Sequence, residues 1–292
     1  MVCFPKRILK QINRCDVYFT PYCNVPCGIR IPIYITIHDI IFPDMPELTS
    51  RLGLALRMFF YRRAYAKAQA LFTVSRFSKD RIQFYLGCKK PIHVVYDAVS
   101  AYLRKQIEPP PVQRTILFVG NIKRHKGLAV LIPAFKKLRQ NYPDIELLVV
   151  GSAENFRSKD EQINTYLQTG NTEGIRFTGY ISDTELQTVY ASSALLVQPS
   201  LYEGFGLPPL EAMYCGTPAL ISDIPVFKEI YDGYPVTYFT AGDSSDLYSK
   251  LHNFFSHTFP ARIHLTEEQK NIYSFEKTAK NILSIFTAAS YL

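Results

Sequence analysis

Apolar and polar positions alternate in blocks along this chain. Short apolar runs at 17–20, 33–37, 71–74, 92–96, 115–119, 145–150, 175–178, 194–198, 219–222 and 236–240 have the length and composition of buried strands. Helical patterns lie between or after them at 51–68, 75–86, 126–141, 183–191, 243–255 and 274–289. Ser75 is a good N-cap for the second of these, and Ser182 or Asp183 for the fourth. Strands alternating with helices predict a parallel sheet covered on both faces. The helix at 51–68 is apolar nearly all round, and its arginines do not gather on one face. It therefore does not read as an amphipathic helix lying on a surface.

The run IEPPPVQ breaks the pattern, because three consecutive prolines exclude helix and favour an extended spacer. It divides the chain into a first domain at 1–107, a linker at 108–113 and a second domain at 114–273. The last helix, about 274–289, is expected to pack back on the first domain. The fold class is α/β, two doubly wound domains, and such sheets hold ligands beyond the carboxyl ends of their strands. Four loops at those ends carry polar clusters: His38-Asp39, the segment from Gly120 to Gly127, Gly179-Tyr180, and the segment from Glu203 to Glu211.

The last of these belongs to the stretch QPSLYEGFGLPPLEAMYCGTPALISDIP at 198–225. An apolar run ends at Pro199-Ser200, a turn carries Glu203, Gly204, Phe205 and Gly206, and a helix opens on Pro208-Pro209. Proline is tolerated there because the first N–H groups of a helix have no intrahelical partner. Open N–H groups and the positive end of the helix dipole make an anion site. Glu211 follows Glu203 in the first turn, so one loop offers glycine backbone, a helix start and two carboxylates. That set suits a ligand with both phosphate and hydroxyl groups. Taken alone, each residue has a plainer reading: Glu211 as a carboxylate favoured by the dipole, Glu203 as a solvated turn residue, Lys126 as an exposed lysine at a helix start, and His38-Asp39 as a hydrogen-bonded turn. Gly204 and Gly206 lack the third glycine and downstream acid of a dinucleotide fingerprint, and none follows 115–119, which argues against an NAD-linked enzyme.

Composition narrows the class. With 47% hydrophobic and 20% charged residues the chain is globular rather than disordered. No apolar run approaches the ~20 residues of a membrane span. The N-terminus is too polar after Phe4 for a secretory signal, so a cytoplasmic setting with six reduced cysteines is expected. Cys23 and Cys27 have loose metal-ligand spacing, but no second Cys/His pair follows and free thiols are expected. The net charge of +8 is uneven: residues 1–110 hold 17 Lys+Arg against 7 Asp+Glu, and the remainder 16 against 18. The first part is thus the side to meet a membrane surface, a phosphorylated acceptor or nucleic acid, or it is a solvated basic surface. It has no compact basic-aromatic stripe, which argues against nucleic acid.

The run EGFGLPPLE from Glu203 to Glu211 matches an E-x7-E motif with its central F-G. Around it stand FVGNIKRHKGLAVLIPAF, FTGYISDTELQTVYASSALLVQPS and CGTPALISDIP, and TIHDIIFPD and FTVSRFSKD precede them. In order and spacing these segments resemble the family 4 retaining glycosyltransferases (glycosyl transferases group 1), enzymes of the GT-B architecture with two facing Rossmann-like domains. The resemblance covers nearly the whole chain. It implies a nucleotide-diphospho-sugar substrate, no cofactor and no obligatory metal; no Asp-x-Asp cluster is present to hold one. It also implies that Glu211 binds ribose hydroxyls, that Glu203 contacts the donor sugar, and that the N–H groups of Phe205, Gly206 and Leu207 hold sugar hydroxyls and diphosphate. Lys126 would neutralise the diphosphate from a loop that also offers Gly120, Asn121 and Arg124. The base would lie against Tyr180 and Ile181, and His38 would reach the donor sugar from the other domain.

Two departures from the family pattern matter. Asn121 stands where many members have Arg directly after the glycine, so Lys126 carries more of the charge, with Lys123 or Arg124 beside it. Family members also have further strand–helix units ahead of the segment matching 17–20. Against that pattern the first domain is shortened: the chain is truncated, its missing strands come from another chain or a second copy, or the domain is reduced. An incomplete sheet is expected to expose an apolar edge that leads to association or poor solubility. The leading expectation is a cytoplasmic, membrane-associated hexosyltransferase acting on a glycan or lipid-linked acceptor in surface polysaccharide biosynthesis. The alternative is a non-catalytic nucleotide-sugar-binding subunit or remnant that acts with a partner chain.

Overall fold

Each of the ten apolar runs forms a strand, and every ladder between them is parallel. The computed structural model describes residues 3–87, 89–104, 108, 110–151, 173–257 and 262–289. The chain forms two compact units, Met1–Asp97 with Phe275–Leu292, and Ala98–Ser274. The division falls ahead of the expected linker at 108–113, part of which lies outside the described residues; its last residue, Gln113, already opens a strand.

In the first unit, strands β1 (Tyr18–Thr20), β2 (Ile33–Thr36), β3 (Ala70–Thr73) and β4 (Ile92–Val94) lie in sequential order. Both β2 and β3 are buried along their whole length, as expected for parallel strands covered on two faces. One cover includes the Arg51–Lys67 helix, which turns Tyr61 and Ala64 inward. Its outward side carries Leu52, Leu56 and Phe59, which are 80%, 54% and 58% exposed. The other cover includes the Phe275–Ala289 helix, whose Ile282, Ile285 and Phe286 pack on Tyr34, Phe72 and Val95. Strand β1 forms one edge of the sheet and β4 the other, and Phe19 of β1 is 38% exposed. Ser75 caps the Arg76–Leu86 helix by accepting the Ser78 N–H at 3.0 Å. Among the described residues no helix is long and apolar enough to cross a membrane.

In the second unit, β5 (Gln113–Val119), β6 (Glu146–Val150), β7 (Ile175–Gly179), β8 (Ser193–Gln198), β9 (Ala219–Ser222) and β10 (Val236–Phe239) take the order β10-β9-β8-β5-β6-β7. The chain winds outward from β5 to β7, then returns to the other side of β5 and winds outward again. This is the Rossmann order, and the winding reverses between β5 and β8. The Leu128–Arg139 helix packs Leu131, Phe135 and Leu138 into the core with Leu247, Leu251 and Phe255 of the Ser244–Ser256 helix. Ser182, rather than Asp183, caps the Asp183–Ser192 helix through a capping box with Glu185.

Candidate functional site

At the carboxyl ends of β5 and β8, where the winding reverses, two loops are bonded together. After β5 the chain passes Gly120 and Asn121 into a tight 3-10 turn, Arg124–Lys126, and enters its helix only at Leu128. The helix expected from residue 126 is thus displaced, because Gly127 takes φ +74. A Cβ at 127 would stand 1.7 Å from the Pro199 carbonyl oxygen, so only glycine allows this approach to the end of β8. The Leu201 N–H then donates to the His125 carbonyl at 2.7 Å.

Lys126 is held by this turn, not by a helix. Its Nζ donates to both oxygens of Glu203, at 2.7 and 2.8 Å. The two side chains are 20% and 8% exposed, so neither is a solvated surface residue. Ser200 Oγ adds a hydrogen bond to Glu203 Oε1 at 2.8 Å, and Gln198, the last residue of β8, donates from Nε2 to Ser200 Oγ at 3.0 Å. Asn121, Lys123 and Arg124 are exposed on the same loop.

Glu211 lies on the Pro208–Tyr214 helix and accepts from the Tyr190 hydroxyl at 2.8 Å. Burial raises the pKa of its carboxyl; the Tyr190 bond opposes the rise and the charge of Asp183 adds to it. The first N–H groups inside this helix are not free for an anion. Pro208 and Pro209 have no N–H, the Leu210 N–H goes to the Tyr231 hydroxyl at 3.2 Å, and the Glu211 N–H goes to the Leu207 carbonyl at 3.0 Å. The amides left for a ligand are those ahead of the helix, at Gly206 and Leu207, which find no acceptor among the described residues. Gly206 takes φ +87, and a Cβ there would meet the Phe227 ring at 2.4 Å. The Tyr231 hydroxyl donates to the Gly206 carbonyl and fixes that turn. The Phe205 ring is 2% exposed and packs edge-on against Tyr273, so only its backbone can serve a ligand.

The remaining expected residues fall in two places. Tyr180, 83% exposed, and the half-buried Ile181 follow β7 at the same end of the sheet. His38 belongs to the first unit, at the carboxyl end of β2, where its exposed ring places Nε2 3.0 Å from the Pro21 carbonyl. A carbonyl only accepts, so Nε2 carries the proton. Burial raises the pKa of Asp97 in that unit, against the opposing charge of His38. Among the described residues, no three His, Cys, Asp or Glu side chains gather as metal ligands, and Cys3, Cys15, Cys23, Cys27 and Cys215 are free thiols.

Tyr190, Ser200, Gln198 and Tyr231 were not anticipated. Gln198 had a signal, a polar residue closing an otherwise apolar strand. The tyrosines had none, because their partners lie on other elements.

The family model described as glycosyl transferases group 1 matches residues 100–259, and that described as glycosyltransferase family 4 matches residues 3–101. Similar curated proteins include the O-antigen chain mannosyltransferase B of Escherichia coli, 29% identical over 230 residues, covering 73% of this chain and 58% of that protein. The O-antigen chain mannosyltransferase RfbU of Salmonella typhimurium is 30% identical over 202 residues, covering 67% and 53%. The chain thus spans between half and three-fifths of the length of these relatives. Among solved structures, the sucrose-phosphate synthase of Thermosynechococcus elongatus is similar with TM-score 0.75 and 16% identity, covering 99% of this chain and 80% of that one. HepE of Anabaena, in complex with UDP and glucose, is similar with TM-score 0.74 and 17% identity, covering 97% and 80%. Those likenesses carry the fold, and the match over more than half of the chain carries the family. With its doubly wound second unit and the loops from β5 and β8 joined at the switch point, this chain of the GT-B fold class belongs to the glycosyl transferases group 1 family.

Proposed function

We propose that this chain is a retaining glycosyltransferase that moves a hexose from a nucleotide-diphospho-sugar to a glycan or lipid-linked acceptor in surface polysaccharide biosynthesis. The observation that carries the reading is the Lys126–Glu203 pair at the switch point, which sets a cation and a carboxylate side by side where a Rossmann sheet holds its ligand. Relatives named O-antigen mannosyltransferases support the hexose and the setting, and mannose is the first sugar to test.

In this reading Glu211 takes the ribose hydroxyls, Tyr180 and Ile181 flank the base, and the Gly206 and Leu207 amides meet the diphosphate and sugar. Glu203 holds a sugar hydroxyl. Lys126, with Lys123 and Arg124 on the same loop, offsets the negative charge that grows on the leaving diphosphate, so no metal is obligatory. The acceptor hydroxyl oxygen bonds to the anomeric carbon on the face from which the diphosphate leaves. The C–O bond to phosphate breaks, and the acceptor proton passes to the departing phosphate oxygen. The protein works in the cytoplasm, with the basic first unit as its side of peripheral membrane contact.

The test is a thermal-shift panel of UDP-, GDP-, dTDP- and ADP-sugars followed by hydrolysis and transfer assays. A donor at ~100 times its dissociation constant stabilises by about 2.7 kcal/mol. Silence across the panel sinks the reading. A shift without hydrolysis or transfer to any offered acceptor replaces it with a non-catalytic nucleotide-sugar-binding subunit.

A further inference from the structure

Glu203 is held unevenly. Its Oε1 accepts from Lys126 Nζ at 2.7 Å and Ser200 Oγ at 2.8 Å, with Gln198 Nε2 at 3.5 Å. Its Oε2 has Lys126 Nζ at 2.8 Å as its one partner among the described residues. Gln198 and Ser200 are both fully buried. The direction of the bonds between them is fixed by chemistry. A carboxylate only accepts, so the Ser200 hydroxyl must donate to Glu203, and Ser200 Oγ must in turn accept from Gln198. The opposite amide orientation would set the Gln198 oxygen against a hydroxyl whose proton is spent and against a carboxylate oxygen. The Gln198 Oε1 accordingly lies buried with no hydrogen-bond partner. Ser222, the last residue of β9, donates from Oγ to the Ser200 carbonyl and pins its backbone.

From this arrangement we propose that Gln198 and Ser200 are positioning residues. Through a one-way relay, Gln198 to Ser200 to Glu203, they clamp Oε1 and leave Oε2 as the oxygen that accepts from a hydroxyl of the donor sugar. Lys126, whose ammonium has three protons and gives two to Glu203, keeps the third for the same sugar or its phosphate. The relay uses the ends of β8 and β9 to hold a carboxylate on a turn, which a loop alone does not hold. Orientation of this kind acts on the reacting geometry more than on affinity. The inference rests on the donor-site reading above.

The test compares Ser200→Ala with Ser200→Thr, which retains the hydroxyl, and with Gln198→Leu, which removes only the first donor. Transfer by Ser200→Ala is expected to fall about 10- to 100-fold in kcat with little change in donor KM. Ser200→Thr recovers most of the loss, and Gln198→Leu shows a smaller fall of the same kind. A crystal structure of Ser200→Ala should show the Glu203 carboxylate rotated off its present position. Equal losses in the alanine and threonine variants, or a loss carried by KM, overturn the relay. So does a Ser200→Ala structure with Glu203 unmoved, and that measurement stands even if the wild-type chain turns over no donor, an outcome that sinks only the functional reading. If Ser200→Ala fails to fold, Gln198→Leu is put through the same kinetics and crystallography, with the same outcomes deciding.

Discussion

The Tyr190 hydroxyl donates to Glu211 Oε2 across 2.8 Å, joining the Asp183–Ser192 helix to the Pro208–Tyr214 helix. The bond satisfies a carboxylate whose pKa burial has raised above 4.5. A carboxyl with a raised folded-state pKa binds its proton more tightly folded than unfolded. Its contribution to stability is therefore greatest below about pH 4.5 and declines as pH rises through the folded value.

Glu211→Gln keeps an acceptor for Tyr190 and removes the buried charge. The ligand-free variant is expected to be more stable than wild type at neutral pH and to gain little below pH 4.5, by urea denaturation. Nucleoside diphosphate should bind it about 10- to 100-fold more weakly, since a hydrogen bond to a charged group contributes about 1.5–3 kcal/mol. Normal binding in calorimetry would remove Glu211 from the site.

Lys126 and Glu203 form a second test of the same loop. Lys126→Met leaves the Glu203 carboxylate, 8% exposed, without its counter-charge and should cost on the order of 3 kcal/mol. Adding Glu203→Gln should restore most of that loss, because the uncompensated charge is then gone. A double-mutant cycle in urea measures the coupling. Additive losses would mean that the pair contributes nothing to the folded state.

Much of this site was legible because it is local. The apolar runs match the ten strands of the described residues, Ser75 and Ser182 announced their helices, and the polar clusters expected after strands lie at the carboxyl ends of β5 and β8. What escaped depends on long-range contact. Lys126 looked like a helix-start lysine because nothing local shows that Gly127 must turn against the Pro199 carbonyl. Nothing local shows that the Leu210 N–H at the helix start is taken, because the tyrosine that takes it, Tyr231, comes from the far end of the Pro225–Ile230 helix. The Arg51–Lys67 helix looked apolar all round, and only packing reveals that Leu52, Leu56 and Phe59 face outward.

Gly127 and Gly87 both take left-handed backbone, with φ +74 and +59, but meet different surroundings. Gly127→Ala drives a Cβ to 1.7 Å from a backbone oxygen that cannot step aside, and should cost about 3 kcal/mol or more. Gly87, which ends the Arg76–Leu86 helix, has nothing within 4 Å of the added atom. Gly87→Asn should cost about 1 kcal/mol or less, since asparagine tolerates this conformation. Equal losses in melting temperature would mean that strain, and not the contact with β8, sets the cost at Gly127.

His125 gives the pH dependence of the same loop. Burial lowers its pKa to about 3, and the charges of Lys126 and Lys123 add to the effect. The Nδ1 atom is buried with no hydrogen-bond partner. Unfolded, the ring takes a proton near 6.5; folded, it refuses one until far lower pH. The neutral ring's stability contribution is thus fully present above about pH 6.5 and is lost as pH falls toward 3. Between pH 7 and 5 the loss from this one group is about 2 kcal/mol. Glu211 runs the other way over acid pH, so the wild-type curve alone does not isolate either. Comparing wild type with His125→Gln does, because the difference between their urea midpoints should shrink as pH falls from 7 to 5. A constant difference would show that the folded loop admits a proton on His125 as readily as the unfolded chain does.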